Sequence, residues 1–166
     1  MLTLAAAALT MGIEMMAADQ APQAPMPAVF ISKEEHEAVL KESVAKNAVD
    51  TPIKATDVPG GKAAVAMLYR SKPEVSALIH NDVTETYYIL SGSGTIVTGG
   101  SLGTPKPTDL TRVNAGMSQT GTRIGGESKK VKPGDIVIIP AGLPHSFSEL
   151  DGPISYLVYR FEPAKK

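Results

Sequence analysis

Three residues stand out for the chemistry their types and setting allow: His80, Glu85 and His145. The chain has only three histidines. His80 and Glu85 share the segment HNDVTETYYILSG, and His145 closes the segment GDIVIIPAGLPH that starts at Gly134. Both histidines read as sitting at strand edges. On a strand, alternate side chains share a face. Glu85, Tyr87 and Ile89 therefore point one way and Tyr88 the other, while His145, Phe147 and Glu149 share a face. Two imidazoles and one carboxylate that converge make a three-ligand metal site with open positions. This donor set suits one divalent ion (Fe, Mn, Zn or Ni) and leaves room for water, dioxygen or substrate.

Other residues are weighed around this trio. Tyr87 would stand beside the metal and donate a hydrogen bond to substrate; the alternative is a packed tyrosine. Glu149 would act as a general base if it reaches the cavity, or lie exposed at its strand end. Asp82 is either a turn residue or a further ligand. Arg70 and Arg160 would anchor a substrate carboxylate, with a surface role the preferred reading. His36, among charges, reads as solvent-exposed. Ser93 lies in Gly-Ser-Gly, a hairpin turn rather than a nucleophile elbow. No strand-to-helix context makes these glycines a dinucleotide site.

Composition removes other classes. With no cysteine there is no disulfide, thiolate metal site or cysteine nucleophile. The formal net charge is −1 and no basic block occurs, so no nucleic-acid partner is expected. The expected partners are a small-molecule substrate or ligand and a second copy of the chain.

The elements that must position the trio follow from the pattern. Residues 1–18, MLTLAAAALTMGIEMMAA, carry one charge, Glu14. They resemble a secretory signal peptide, which implies a periplasmic or secreted protein. The alternative is an N-terminal helix packed on the domain or on a second subunit, in a cytoplasmic protein. The run is too short for a membrane span. Residues 19–31 are Pro- and Ala-rich at first and read as a linker. Residues 32–48 read as a helix. Ser32 caps it, Glu35 completes a capping box, and Ala38, Val39, Val44, Ala45 and Ala48 form a weak apolar stripe. From residue 50 to 163 one β-domain is expected. Its strands are Ala63–Arg70, Val75–His80, Glu85–Ser91, Thr95–Thr98, Glu127–Val131, Asp135–Ile139, His145–Leu150 and Ile154–Phe161. Gly- and Pro-rich turns separate them. Residues 101–121, rich in Thr, Gly, Ser and Pro, read as a long loop.

These residues carry a resemblance to the cupin superfamily, covering about residues 60–162. Its second motif is Gly, five residues, Pro-x-Gly, two residues, His; Gly134, Pro140, Gly142 and His145 fit it. Where the family ends this motif with Asn, this chain has Glu149. The first motif is His-x-His, three or four residues, Glu, six residues, Gly; Glu85 and Gly92 fit its end and His80 falls on the second His. The first His position is Leu78, which implies three protein ligands where a full site has four. The resemblance implies an all-β, double-stranded β-helix (jelly-roll-like) barrel with one N-terminal helix, one bound divalent metal ion and frequent homodimers. It allows dioxygenases, isomerases, epimerases, decarboxylases and lyases. The two-His, one-carboxylate set favours a mononuclear metal-dependent oxidoreductase of the dioxygenase type. The alternatives are a non-catalytic ligand-binding or sensing protein and a metal-dependent isomerase or lyase.

Overall fold

The computed structural model describes residues 26–165. The leader-like residues 1–18 and the start of the linker lie outside the described residues. The chain enters through α1 (Lys33–Lys46). Ser32 caps this helix by accepting the Glu35 N–H at 3.1 Å, and Asn47 ends it in the left-handed conformation at φ 48°. Only half of the expected capping box forms, because the Glu35 carboxylate turns outward to Lys54 at 3.1 Å. Nor does the apolar stripe face inward. Ala38, Val44 and Ala45 are exposed, and the buried contact is Ser43, whose hydroxyl meets Thr51 Oγ1 at 2.8 Å. Among the described residues no helix is long and apolar enough to cross a membrane.

The strands are β1 (Asp50–Val58), β2 (Gly61–Arg70), β3 (Ala77–His80), β4 (Thr84–Ser91), β5 (Gly94–Thr98), β6 (Ser101–Asp109), β7 (Met117–Ile124), β8 (Glu127–Val131), β9 (Ile136–Ile139), β10 (His145–Leu150) and β11 (Ile154–Pro163). They form two antiparallel sheets, ordered β1-β2-β11-β4-β9 and β6-β7-β3-β10-β5-β8. The strands pack face to face as the expected jelly-roll-like barrel. Alternation drives the closure. One face of each central strand is apolar and is buried against the other sheet. Leu68, Tyr87, Ile89 and Tyr156 from the first sheet meet Ile96, Val131 and Phe147 from the second in one core. Each such side chain contributes roughly 1.5–3 kcal/mol on burial.

Two stretches differ from expectation. Residues 101–121 are not a loop: β6 and β7 form a hairpin that adds two strands to the second sheet. Most of β6 is exposed on both faces, so its sequence shows no alternation. Its two prolines are tolerated because it is a sheet edge. Strand β1 was likewise hidden, being the other sheet's edge and only half-buried.

Candidate metal centre

Each of the three expected ligands comes from a different strand. His80 ends β3, Glu85 lies in β4 and His145 opens β10. His145 pairs directly with Leu78, two residues before His80 on β3. The turn before His145 is fastened to His80 as well, because the Gly142 N–H donates to the His80 carbonyl at 2.8 Å. Gly142 has φ 80°, a conformation that glycine adopts at little cost. The second-motif turn thus sets the spacing between the two histidines.

His80, Glu85 and His145 are all buried, and one donor atom from each lies within 4.8 Å of the others. His80 Nε2 and His145 Nε2 stand 3.3 and 3.5 Å from Glu85 Oε2. The opposite ring nitrogens fix the protons. His80 Nδ1 lies 2.9 Å from the Ala115 carbonyl and 2.9 Å from Ser118 Oγ. His145 Nδ1 lies 3.0 Å from the Leu143 carbonyl. A carbonyl only accepts, so each Nδ1 carries a hydrogen and each neutral ring aims a lone pair from Nε2 at the carboxylate. Three facing lone pairs in a buried space repel one another unless a cation lies among them. A shared proton would satisfy only part of this set, whereas a divalent metal ion satisfies all three donors together. The trio fits such an ion, with one oxygen and two nitrogen ligands and open positions.

Glu85 is held from behind. Arg160 Nε donates to its Oε1 at 2.7 Å, while Tyr87 donates to Oε2 at 2.8 Å. Arg160 also pairs with Asp50 at 2.6 Å and donates to the Val113 carbonyl at 2.6 Å. Burial opposes the charge on Glu85, but its polar surroundings, the Arg160 cation among them, outweigh it. Its carboxyl is held well below the usual range. Burial, reinforced by the Glu85 charge, pushes the Tyr87 phenol well above its usual value, so it stays protonated.

Beside the trio lies a cavity of about 360 Å³, lined by His80, Glu85 and Tyr87 and by Leu68, Leu78, Leu110, Val113 and Arg112. Leu78 lines it where the family pattern has a further histidine. The hairpin of β6 and β7, with the turn between them, builds one wall and also supplies Ser118 and Ala115 to orient His80.

The remaining sequence candidates fall as follows. Tyr87 is buried at the trio. Glu149 is exposed and accepts from Thr95 at 3.1 Å, away from the other candidates. A bulge between Phe147 and Glu149 breaks the alternation that put Glu149 on the His145 face. Asp82 is exposed and outside the ligand cluster. Arg70 and Arg160 are not surface residues. Arg160 is 4% exposed, and Arg70 donates to Tyr156 Oη at 2.8 Å and pairs with Glu74 at 3.0 Å. Both occupy the inward face of the first sheet, where their partners neutralise them. His36 is half-buried, with a buried Nδ1 that has no hydrogen-bond partner. Sequence reasoning missed Asp50, Ser118 and Arg112, because strands β1, β6 and β7 lack the alternation that would have signalled them.

No family model matches the chain, and neither does any curated protein. Solved structures do. The Bacillus halodurans protein BH2720 is 15% identical, with 84% of this chain and 86% of that one covered and a TM-score of 0.52. A cupin superfamily protein from Desulfitobacterium hafniense DCB-2 is 12% identical over 69% of this chain and 76% of that one, with a TM-score of 0.41. DMSP lyase DddQ from Ruegeria pomeroyi DSS-3 is 20% identical over 63% of this chain, with a TM-score of 0.40; the match spans only 40% of that longer protein. Motif residues at matching positions, two antiparallel sheets closed into a jelly-roll barrel and the likeness in fold to BH2720 together show that this chain has the cupin fold.

Proposed function

We propose that the protein is a mononuclear metal-dependent enzyme acting on a small polar molecule, with dioxygenase-type oxidation as the favoured reaction. One observation carries this reading: three buried donor atoms cluster together, and two of the residues that offer them, His80 and Glu85, line a cavity large enough for a small ligand. His80, Glu85 and His145 would hold the ion, which would supply Lewis acidity and, with iron or manganese, redox capacity. The two-His, one-carboxylate set is the arrangement associated with non-haem iron oxygenases. The protein's own residues do the rest. Arg160 fixes the carboxylate, Ser118 and the Ala115 and Leu143 carbonyls fix the rings, and Leu68, Leu78 and Leu110 exclude water.

A second reading, a lyase or isomerase, draws support from Tyr87. Its hydroxyl donates to Glu85 at the trio, so it can turn to hydrogen-bond and orient a substrate oxygen. The experiment is elemental analysis of untagged protein, followed by oxygen-electrode assays of the Fe(II)-loaded form against small organic acids. About one metal per chain, lost in His145→Ala and Glu85→Ala, with substrate-dependent oxygen uptake, supports the oxygenase. Turnover without oxygen uptake supports the second reading. No metal uptake from Fe(II), Mn(II) or Zn(II) refutes both.

A further inference from the structure

The cavity's charges indicate what it accepts. Its lining holds three acids, Asp50, Glu74 and Glu85, and three arginines, Arg70, Arg112 and Arg160. Five of these six are committed to one another. Arg160 pairs with both Glu85 and Asp50, and Arg70 pairs with Glu74. Arg112 is different. It is exposed at the cavity, and among the described residues its side chain has neither an ion pair nor a hydrogen bond. It stands in the 3-10 turn Thr111–Val113, between the two strands of the inserted hairpin. The lining charges sum to zero, so a divalent ion among His80, Glu85 and His145 would leave the cavity with a surplus of two positive charges. Such a space favours an anion.

The rest of the wall fixes the shape of that anion. Leu68, Leu78, Leu110 and Val113 form an apolar surface in the same cavity, interrupted by the hydroxyls of Ser76, Thr108 and Thr120, the last two bonded to each other. A long, highly hydroxylated molecule would bring more polar groups than these few can pair. A guanidinium presents parallel N–H donors that match a carboxylate in a bidentate pair.

We infer that the cavity takes a small carboxylate with a short apolar body, its carboxylate held by Arg112 and its other end turned toward His80, Glu85 and His145. The orientation toward the trio rests on the metal reading above; the Arg112 contact does not. Isothermal titration calorimetry of the full chain, both Zn(II)-loaded and stripped with chelator, tests this with butanoate, succinate and butanamide. Butanamide copies the shape of butanoate without its charge. The expected result is binding of at least one carboxylate, with butanamide about tenfold weaker or worse. Arg112→Gln should weaken carboxylate binding roughly ten- to hundredfold. It should leave metal content and butanamide binding unchanged, and Arg112→Lys should restore part of the loss. Equal binding of butanoate and butanamide overturns the inference. So does full carboxylate affinity in Arg112→Gln, or no binding of either carboxylate. A chain that takes up no metal but still prefers butanoate in an Arg112-dependent way would sink the metal reading alone and uphold the carboxylate assignment.

Discussion

Replacing Glu85 by Gln keeps the side chain's shape and removes its charge, which separates its two duties. As a metal ligand the carboxylate has no neutral substitute of comparable strength. As a structural group it does. The amide oxygen can still accept from Arg160, now 2.7 Å away, and the amide N–H can point at the histidine lone pairs now 3.3 and 3.5 Å away. Exchanging a charge-assisted hydrogen bond for a neutral one costs about 1–2 kcal/mol. Losing the acceptor for the Tyr87 hydroxyl costs about 1 kcal/mol more, and the new N–H contact returns about as much. The metal-free variant should therefore unfold within about 2 kcal/mol of metal-free wild type. Metal tells the two apart. At one hundred times its Kd, a metal ion stabilises wild type by about 2.7 kcal/mol, or roughly 5–11 °C in Tm for a chain this long. Glu85→Gln should show almost none of that gain. Differential scanning calorimetry of both proteins, stripped and in excess Zn(II) or Mn(II), reads all four values. An equal metal-induced shift in the two proteins would refute Glu85 as a ligand. A loss above about 4 kcal/mol without metal would mean that its charge holds the barrel together rather than the ion.

Further outcomes follow from other contacts. Arg160→Met leaves Glu85 and Asp50 without their shared cation and should cost about 3–5 kcal/mol in urea unfolding; a change below about 1 kcal/mol would show the cluster to be dispensable. Burial raises the phenols of Tyr87 and Tyr156 in the folded state. Above about pH 10 the unfolded chain therefore loses these protons first, and stability, complete below that pH, falls as pH rises. Circular dichroism and phenolate absorbance should change together; early ionisation of these two in the folded protein would contradict their burial. Gly92→Ala places a Cβ 2.1 Å from the Pro153 carbonyl at φ 74°. Gly134→Ala meets open space at φ 91° and should cost only about 1–2 kcal/mol from its backbone. Gly92→Ala should cost at least about 2 kcal/mol more, and equal losses by chemical denaturation would rule out the close approach.

What could be read from the chain depended on alternation. Glu85 and Tyr87 sit in a strand with one buried face, so alternation alone put them on one side; His80 and His145 stood out as scarce histidines at strand edges in motif positions. Glu149 was misplaced because a bulge, invisible in sequence, shifts the strand after Phe147. Residues 101–121 carry no strand signal in the sequence because an edge strand has no buried face to impose a period. The consequences of the hairpin are hidden with it: Ser118 behind His80 and Arg112 in the cavity. Arg160 was set aside because arginine is rarely buried. Its two carboxylate partners, one of them 110 positions away in the chain, are a tertiary fact no local pattern encodes.

That long reach has a consequence for the order of events during synthesis. The contact joins Asp50, in the first strand, to Arg160, in the last, and the same guanidinium holds the carboxylate proposed to bind the ion. The donors lie at positions 80, 85 and 145, so a nascent chain holds only fragments of the site until the stretch through His145 has left the ribosome. Pairings of such wide separation form late. Ion capture is therefore coupled to closure of the finished barrel. An ion held by His80, Glu85 and His145 should then be one abundant where the completed barrel folds, whatever ions surround the ribosome that made it.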